Sequence, residues 1–181
     1  LYLGSSAFIA PNEAVFVREW LRALRGAADP ALREVGVVVR PHPQNFESFQ
    51  RVDYSEYGPV VVWPRGAADP VDAQSKADYF DSLYHSHVVI GLVTSAFLEA
   101  AIVGRPVHSP LLPEFEMYQE GVQHFRYLME VEGGLLRVTR SVPAHLAGLA
   151  SALALPVQRD EQNVRFVRAF VRPHGLDVPA T

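Results

Sequence analysis

Short runs of apolar residues alternate with longer stretches of helical periodicity along most of the chain. The runs that predict strands lie at 1–3, 35–39, 60–62, 88–90 and 135–138, and a further short strand is predicted to open at 105–107. Helical spacing follows the first of them, where Phe16, Trp20 and Leu24 recur before Gly26. Such alternation is typical of βαβ units with a parallel sheet. The pattern therefore predicts an α/β fold, a Rossmann-like doubly wound parallel sheet of about six strands.

The helical patterns complete this arrangement. They run from Pro11 to Gly26, over 78–86, from Thr94 or Ser95 to Gly104, over 121–129 and 142–153, and through a closing helix at 160–173, whereas 110–120 reads as a loop. Residues 1–181 are predicted to form a single domain. Because the chain opens on Leu1 inside a strand-like run, we expect this domain to be the C-terminal part of a longer protein.

Composition narrows the classes of partner. The 181 residues include 16 basic and 20 acidic side chains, a formal charge of -4, which argues against nucleic-acid binding and a polybasic membrane anchor. There is no Cys, so disulfides and thiolate sites are excluded. No apolar run reaches the ~18 residues of a membrane span. We expect a cytoplasmic protein with no transmembrane segment, for which peripheral association with a membrane stays open.

The predicted topology indicates where a ligand would bind. In a sheet of order 3-2-1-4-5-6, ligands occupy the crevice at the carboxyl ends of the first and fourth strands. The loop Gly4-Ser5-Ser6 and the loop from Gly91 to Ser95 would line that crevice. Thr94 and Ser95 begin a helix, whose N-terminus favours an anion such as phosphate, although either residue also serves as an ordinary N-cap. Neither GxGxxG after the first strand nor GxxxxGK[ST] is present, which disfavours dinucleotide and P-loop sites.

Three further side chains are candidates for the same edge of the sheet. His42 lies between two prolines after Arg40, and its imidazole could donate to a phosphate oxygen or simply complete a proline-rich turn. Glu99 lies one turn into the helix after Ser95, where it could accept ribose hydroxyls or merely favour the helix N-terminus. Trp63 ends the third strand and could stack on a base or belong to the core.

Two stretches resemble the nucleotide-binding C-terminal domain of GT-B glycosyltransferases. Residues 86–107 are similar to its strand, hydroxyl pair, acidic helix and Gly-x-Pro pattern. Arg40-Pro41-His42-Pro43 resembles the His-Pro motif of bacterial sialyl-, Kdo- and poly(glycerol phosphate)-type transferases of capsule and cell-wall synthesis. The resemblance implies that the phosphates contact His42 and the hydroxyls of Thr94 and Ser95, and that the ribose binds Glu99.

A third stretch, 62–65, is similar to the Trp-x-Pro loop that stacks on the base in another branch of these enzymes. This likeness implies nucleotide-binding roles for Trp63 and Arg65, although no residue separates Trp63 from Pro64 here. The implied function is the donor-binding domain of a glycosyltransferase that uses a nucleotide-activated sugar or a CDP-polyol donor. The donor would be of the CMP/CDP or UDP type.

The implied mechanism requires neither a metal nor another cofactor, because His42 as the catalytic residue would stabilise charge on the leaving phosphate. Asp69, Asp72 and Asp78 are expected in a loop at spacing that does not suit a metal. The base that activates the acceptor would come from an N-terminal acceptor domain, so the isolated domain is not expected to be active.

Two other functions remain open. The first is an isomerase of the nucleotide-sugar 2-epimerase kind, which shares the fold but carries more carboxylates and a Gly-Gly-Ser type of turn where this chain has Leu92-Val93-Thr94-Ser95. The second is a domain without catalytic activity that binds a nucleotide or serves assembly. Convergence of His42, Thr94 and Ser95 on one phosphate would distinguish the transferase from the latter.

Overall fold

A computed structural model describes residues 1–67, 69–175 and 178. Its centre is a sheet of six parallel strands in the order β3-β2-β1-β4-β5-β6. The strands are β1 (Tyr2–Leu3), β2 (Val37–Arg40), β3 (Val60–Val62), β4 (Val89–Gly91), β5 (Val107–Pro110) and β6 (Leu136–Thr139). The predicted fold class, a Rossmann-like doubly wound α/β sheet, is confirmed together with its strand order.

Helices connect the strands. They are α1 (Glu13–Arg25), α2 (Pro30–Glu34), α3 (Phe46–Gln50), α4 (Ala73–Tyr84), α5 (Ala96–Val103), α6 (Gln123–Glu130), α7 (Val142–Leu153) and α8 (Glu161–Phe166). A π-helical segment, Val167–Val171, continues α8, so the predicted closing helix is present but ends two residues earlier than expected. Positions 68, 176, 177 and 179–181 of the predicted domain lie outside the described residues.

Helix α4 begins five residues before its predicted start. The carboxylate of Asp72 accepts a hydrogen bond from the backbone N–H of Ser75 at 2.9 Å and so caps the helix. The placement of Asp72 and Asp78 in a loop was therefore wrong, because Asp72 is the N-cap and Asp78 lies within the helix. Helices α2 and α3 were not predicted, since five residues are too few to show a helical period.

The core divides between the two faces of the sheet. One cluster packs α5, α6 and α8 against the sheet and includes Leu3, Val89, Phe97 and Phe166. The other packs α1, α2 and α7 and includes Tyr2, Val17, Trp20, Leu21, Ile90 and Leu149. Neighbours along a strand point to opposite faces, which is why Tyr2 and Leu3 enter different clusters. Within the described ranges, no helix is both long enough and apolar enough to cross a membrane.

Candidate functional site

A crevice of about 220 Å³ opens where the strand order reverses, at the carboxyl ends of β1, β2 and β4. Such a switch point is where open α/β sheets bind their ligands. Six of the ten residues singled out from the sequence line the crevice: Gly4, Arg40, His42, Thr94, Ser95 and Glu99. They come from three separate segments of the chain, after β1, at the end of β2 and at the start of α5, and the topology brings them together.

Two glycines allow the backbone segments at the floor of the crevice to approach closely. Gly4 donates its N–H to the carbonyl of Arg40 at 2.8 Å. A Cβ on Gly4 would lie 2.9 Å from the backbone nitrogen of His42, and one on Gly91 would lie 2.6 Å from the carbonyl oxygen of Leu3. Both distances are too short for a side chain, so glycine is required where β1 meets its two neighbours.

His42 is held in one orientation by its own turn. Its Nδ1 accepts a hydrogen bond from the backbone N–H of Gln44 at 3.2 Å, and Pro43 then begins a short 3₁₀ turn. The acceptor role of Nδ1 leaves the proton of the neutral imidazole on Nε2. His42 therefore completes its proline-rich turn, which was one of the two roles considered for it. Its side chain also lines the crevice and presents an N–H donor.

The two hydroxyl residues before α5 have different roles. The Oγ1 of Thr94 accepts a hydrogen bond from the backbone N–H of Ala96 at 3.3 Å, as an N-capping residue does. Ser95 is the N-cap residue by position, but its side chain makes no capping hydrogen bond, and it is exposed at the crevice. Capping of the helix thus explains the hydroxyl of Thr94, whereas the hydroxyl of Ser95 has no capping role.

The far wall of the crevice contains an interaction that the sequence did not predict. The hydroxyl of Tyr79 donates to the carboxylate of Glu99, and the guanidinium of Arg40 lies 5.1 Å from the centre of the Tyr79 ring. Arg40 also donates to the Oγ of Ser82 at 2.8 Å. Burial, followed by the neighbouring Glu99, raises the pKa of Tyr79 well above its usual range, so the phenol stays protonated as a donor.

Tyr79 was missed because it belongs to an apolar helical pattern that resembles a core stripe, and no local signal distinguishes it. The loop before α4 was also missed, although Gly66, Asp69 and Pro70 line the crevice. Asp69 adds a second carboxylate that can accept ligand hydroxyls. Over the described part of the chain, no group of three or more His, Asp or Glu side chains is arranged to hold a metal.

Four of the predicted residues lie away from the crevice walls. Trp63 is exposed at the end of β3, and Arg65 lines a groove on the outer edge of the sheet beside α3. Ser6 is half-buried in the loop after β1, where its carbonyl accepts from Ile9 and Ala10. Ser5 is fully buried. These positions do not support direct contact with a ligand in the crevice.

Ser5 belongs to a buried polar network beneath the crevice. Its N–H and its hydroxyl donate to the carboxylate of Glu13 at 2.6 and 3.0 Å, and the hydroxyl of Tyr2 donates to the same carboxylate at 2.9 Å. The Oγ of Ser5 accepts from the N–H of Val93 at 3.2 Å, and Asn45 donates to the carbonyl of Ser5. The network joins the loops after β1, β2 and β4, so it positions the segments that carry the crevice residues.

The network makes the stability of the fold depend on pH. Burial raises the pKa of Glu13 to about 7, against hydrogen bonds from Ser5 and Tyr2 that lower it. Because the folded pKa exceeds the unfolded value, the stabilising contribution is complete below pH 4.5 and is lost as pH rises through 7. The loss between pH 4.5 and pH 8 amounts to about 3 kcal/mol for Glu13 alone.

We expect Glu13→Gln to remove this dependence. Glutamine is uncharged, as the protonated acid is, and its amide can accept from the N–H of Ser5 and donate to the hydroxyls of Ser5 and Tyr2, so the variant should be more stable than the wild type at pH 8 by about 2–3 kcal/mol. Urea unfolding of both proteins at pH 5 and pH 8 measures the difference, with exposed Glu47→Gln as the control. If the free energy of unfolding changed equally between pH 5 and pH 8 in Glu13→Gln and in the wild type, the prediction would be contradicted.

Comparisons with protein-family models, with curated proteins and with solved structures give no match to this chain.

Proposed function

We propose that this chain is the donor-binding domain of a GT-B glycosyltransferase and that its crevice binds the nucleotide part of a nucleotide-activated sugar. One observation carries the proposal: His42 from the turn after β2, and Ser95 and Glu99 from the start of α5, line a single crevice at the switch point of the sheet. A hydrogen-bond donor, a hydroxyl and a carboxylate in one crevice suit a ligand that has both a phosphate and a ribose.

The phosphate would bind between β2 and α5. The Nε2–H of His42 and the hydroxyl of Ser95 are donors at this place, and the N-terminus of α5 contributes the favourable end of the helix dipole. Arg40 adds a nearly buried positive charge that is held by Ser82 and the ring of Tyr79. These groups would bind the leaving diphosphate or monophosphate, with His42 stabilising the charge that develops as the bond to the sugar breaks.

The ribose would bind at Glu99. Tyr79 donates to one carboxylate oxygen, Oε2, which fixes the carboxylate on the wall of the crevice. The other oxygen, Oε1, is suited to accept a hydrogen bond from a ribose hydroxyl. This arrangement gives Tyr79 the role of a positioning residue and Glu99 that of a ligand contact.

The wider proposal concerns the whole enzyme. The donor would be a CMP-, CDP- or UDP-activated sugar or polyol, and the product a capsular, cell-wall or related glycoconjugate made in a bacterial cytoplasm. An N-terminal acceptor domain would supply the base that activates the acceptor. The exposed Trp63 and Arg65 leave the base-binding loop as the least specified part of the donor site.

Thermal unfolding with a panel of CMP, CDP, UMP, UDP, GDP and ADP tests the proposal. A nucleotide at about 100 times its dissociation constant should stabilise the protein by about 2.7 kcal/mol. We expect cytidine or uridine nucleotides to raise the melting temperature and His42→Ala combined with Ser95→Ala to abolish that rise. Both side chains are at the surface of the crevice, so the variant should unfold near the temperature of the free wild type.

His124→Ala combined with Ser55→Ala is the matched control, because it removes an exposed imidazole and an exposed hydroxyl outside the crevice. The control should keep the full rise with nucleotide. No rise with any nucleotide in the wild type would contradict the donor-site proposal and favour an assembly domain. Persistent binding in the double variant would show that the nucleotide occupies another site.

A further inference from the structure

A second cavity, of about 720 Å³, lies over β5 and β6 next to α7 and the segment before α8. It shares none of its lining residues with the crevice at the switch point. Three polar side chains of the two strands line it: His108 on β5 and Arg137 and Thr139 on β6. The cavity is large enough for a ligand of the size of a phosphorylated sugar.

These three side chains carry buried atoms with no hydrogen-bond partner in the described structure. They are both ring nitrogens of His108, the Nη1 of Arg137 and the Oγ1 of Thr139. His108 is only 4% exposed. The parallel register pairs His108 with Arg137, and Thr139 follows two residues later, so the three side chains share one face of the sheet.

Buried polar atoms are almost always hydrogen-bonded, because an unpaired one loses its water without compensation. Unpaired donors and acceptors on neighbouring strands beneath one cavity therefore point to a partner from outside the chain. Gly148 of α7 leaves space for that partner. A Cβ at Gly148 would lie 3.5 Å from the Nδ1 of His108, so any longer side chain there would project over the imidazole.

The chemistry of the unpaired atoms restricts the ligand. Arg137 pairs with Asp160 through Nη2, which leaves Nη1 as a charged donor in need of an acceptor. Burial, followed by the charges of His145 and Arg137, lowers the pKa of His108 to about 3, so its imidazole is neutral and offers one donor and one acceptor. The hydroxyl of Thr139 can do either. The ligand must therefore carry an anionic group that accepts from Arg137 and at least one hydroxyl that donates to the acceptor nitrogen of His108.

The charges around the opening agree with this requirement. Arg159 and Arg165 line the cavity together with Arg137, whereas the carboxylates are Asp160 and Glu161. Asp160 is already engaged by Arg137 and by the backbone N–H of Asn163. A ligand that enters the cavity therefore meets guanidinium groups in excess of available carboxylates.

We propose that this cavity binds a small hydroxylated organic anion, such as a sugar phosphate or a sugar acid, with its oxyanion on Arg137 and its hydroxyls on His108 and Thr139. The site is independent of the nucleotide crevice and would allow the protein to respond to a metabolite other than its donor.

Isothermal titration with glucose 6-phosphate and with gluconate tests the proposal and distinguishes a phosphate from a carboxylate as the anion. We expect at least one of them to bind, and Arg137→Gln to weaken it by about tenfold or more, the effect of removing a charge-assisted hydrogen bond. Arg168→Gln removes an exposed guanidinium that does not line the cavity and should leave binding unchanged. Binding of neither compound would overturn the proposal.

Gly148 provides a steric test on the other wall. Gly148→Leu should abolish binding, because its side chain fills the space over His108. Gly148→Ala adds only a Cβ at ordinary contact distance, so this control should retain the fold. Equal binding by Gly148→Leu and the wild type, with both folded as judged by circular dichroism, would overturn the proposal.

The ring ¹⁵N chemical shifts of the histidines locate the bound anion directly. Those of His108 should move on titration, in the wild type and equally in His42→Ala, whose crevice is altered. Shifts confined to His42, or binding lost in His42→Ala, would place the anion in the nucleotide crevice and overturn the second site while leaving the proposed function standing.

Discussion

The buried imidazoles of His108 and His145 are expected to cost the protein about 5 kcal/mol of folding free energy between pH 8 and pH 4.5. Burial lowers the pKa of His108 to about 3 and that of His145 to about 4. The unfolded chain, with histidine pKa values near 6.5, therefore binds protons first as pH falls. The stabilising contribution is complete above pH 6.5 and is lost as pH falls toward the folded values.

His145→Leu isolates half of this effect. His145 is 1% exposed, and both its ring nitrogens lack a hydrogen-bond partner in the described structure, so leucine can replace it without orphaning another group. As pH falls from 8 to 4.5, the free energy of unfolding of the variant should rise by about 2–3 kcal/mol relative to that of the wild type. The opposing titration of Glu13 is present in both proteins and cancels in the difference.

Urea unfolding at pH 8, 6, 5 and 4.5 measures the difference in free energy of unfolding. His124→Leu, which removes an exposed imidazole, is the control for the loss of a histidine as such. Parallel pH profiles for His145→Leu and the wild type would show that His145 is not held neutral by burial.

Phe97→Ala should destabilise the fold by about 3–5 kcal/mol, the usual effect of removing a fully buried ring. Phe97 lies on α5 with no exposed surface, in the cluster that packs α5, α6 and α8 on the sheet. Its ring packs against Gly91 at the end of β4, where Cε1 would be 2.8 Å from a Cβ on that glycine. A cavity at this place would also loosen the start of α5, which carries Ser95.

Calorimetry and urea unfolding both measure the effect of Phe97→Ala. For a domain of this size the melting temperature should fall by roughly 10 °C. Phe8→Ala is the matched control, because Phe8 is 82% exposed and its removal should change the free energy of unfolding by less than about 0.5 kcal/mol. A loss below about 1 kcal/mol for Phe97→Ala would mean that the core around α5 closes over the missing ring.

The local pattern of the sequence determined the fold class. Apolar runs with helices between them predicted six parallel strands, and the observed strands begin and end within about two residues of most predicted positions. The helix at 142–153 was predicted to the residue. Periodicity and the breaks at Pro and Gly are local properties, so they can be read before any contact is known. They failed at α2 and α3, because a helix of five residues is too short for its period to repeat.

The sequence also placed His42, Ser95 and Glu99 at one edge of the sheet, because the carboxyl ends of parallel strands share that edge. It did not determine which of the neighbouring side chains would reach the crevice. Ser5 faces inward to Glu13, and Trp63 and Arg65 lie outside, although all three follow strands that end at the same edge.

Only the tertiary structure decided the contacts between distant segments. Tyr79 meets Glu99 because α4 packs beside α5, and His108 meets His145 because α7 crosses β5. Burial, and with it the pKa values of Glu13, His108 and His145, arises from that packing. No single segment contains this information, since the water removed from one side chain depends on all the elements that cover it.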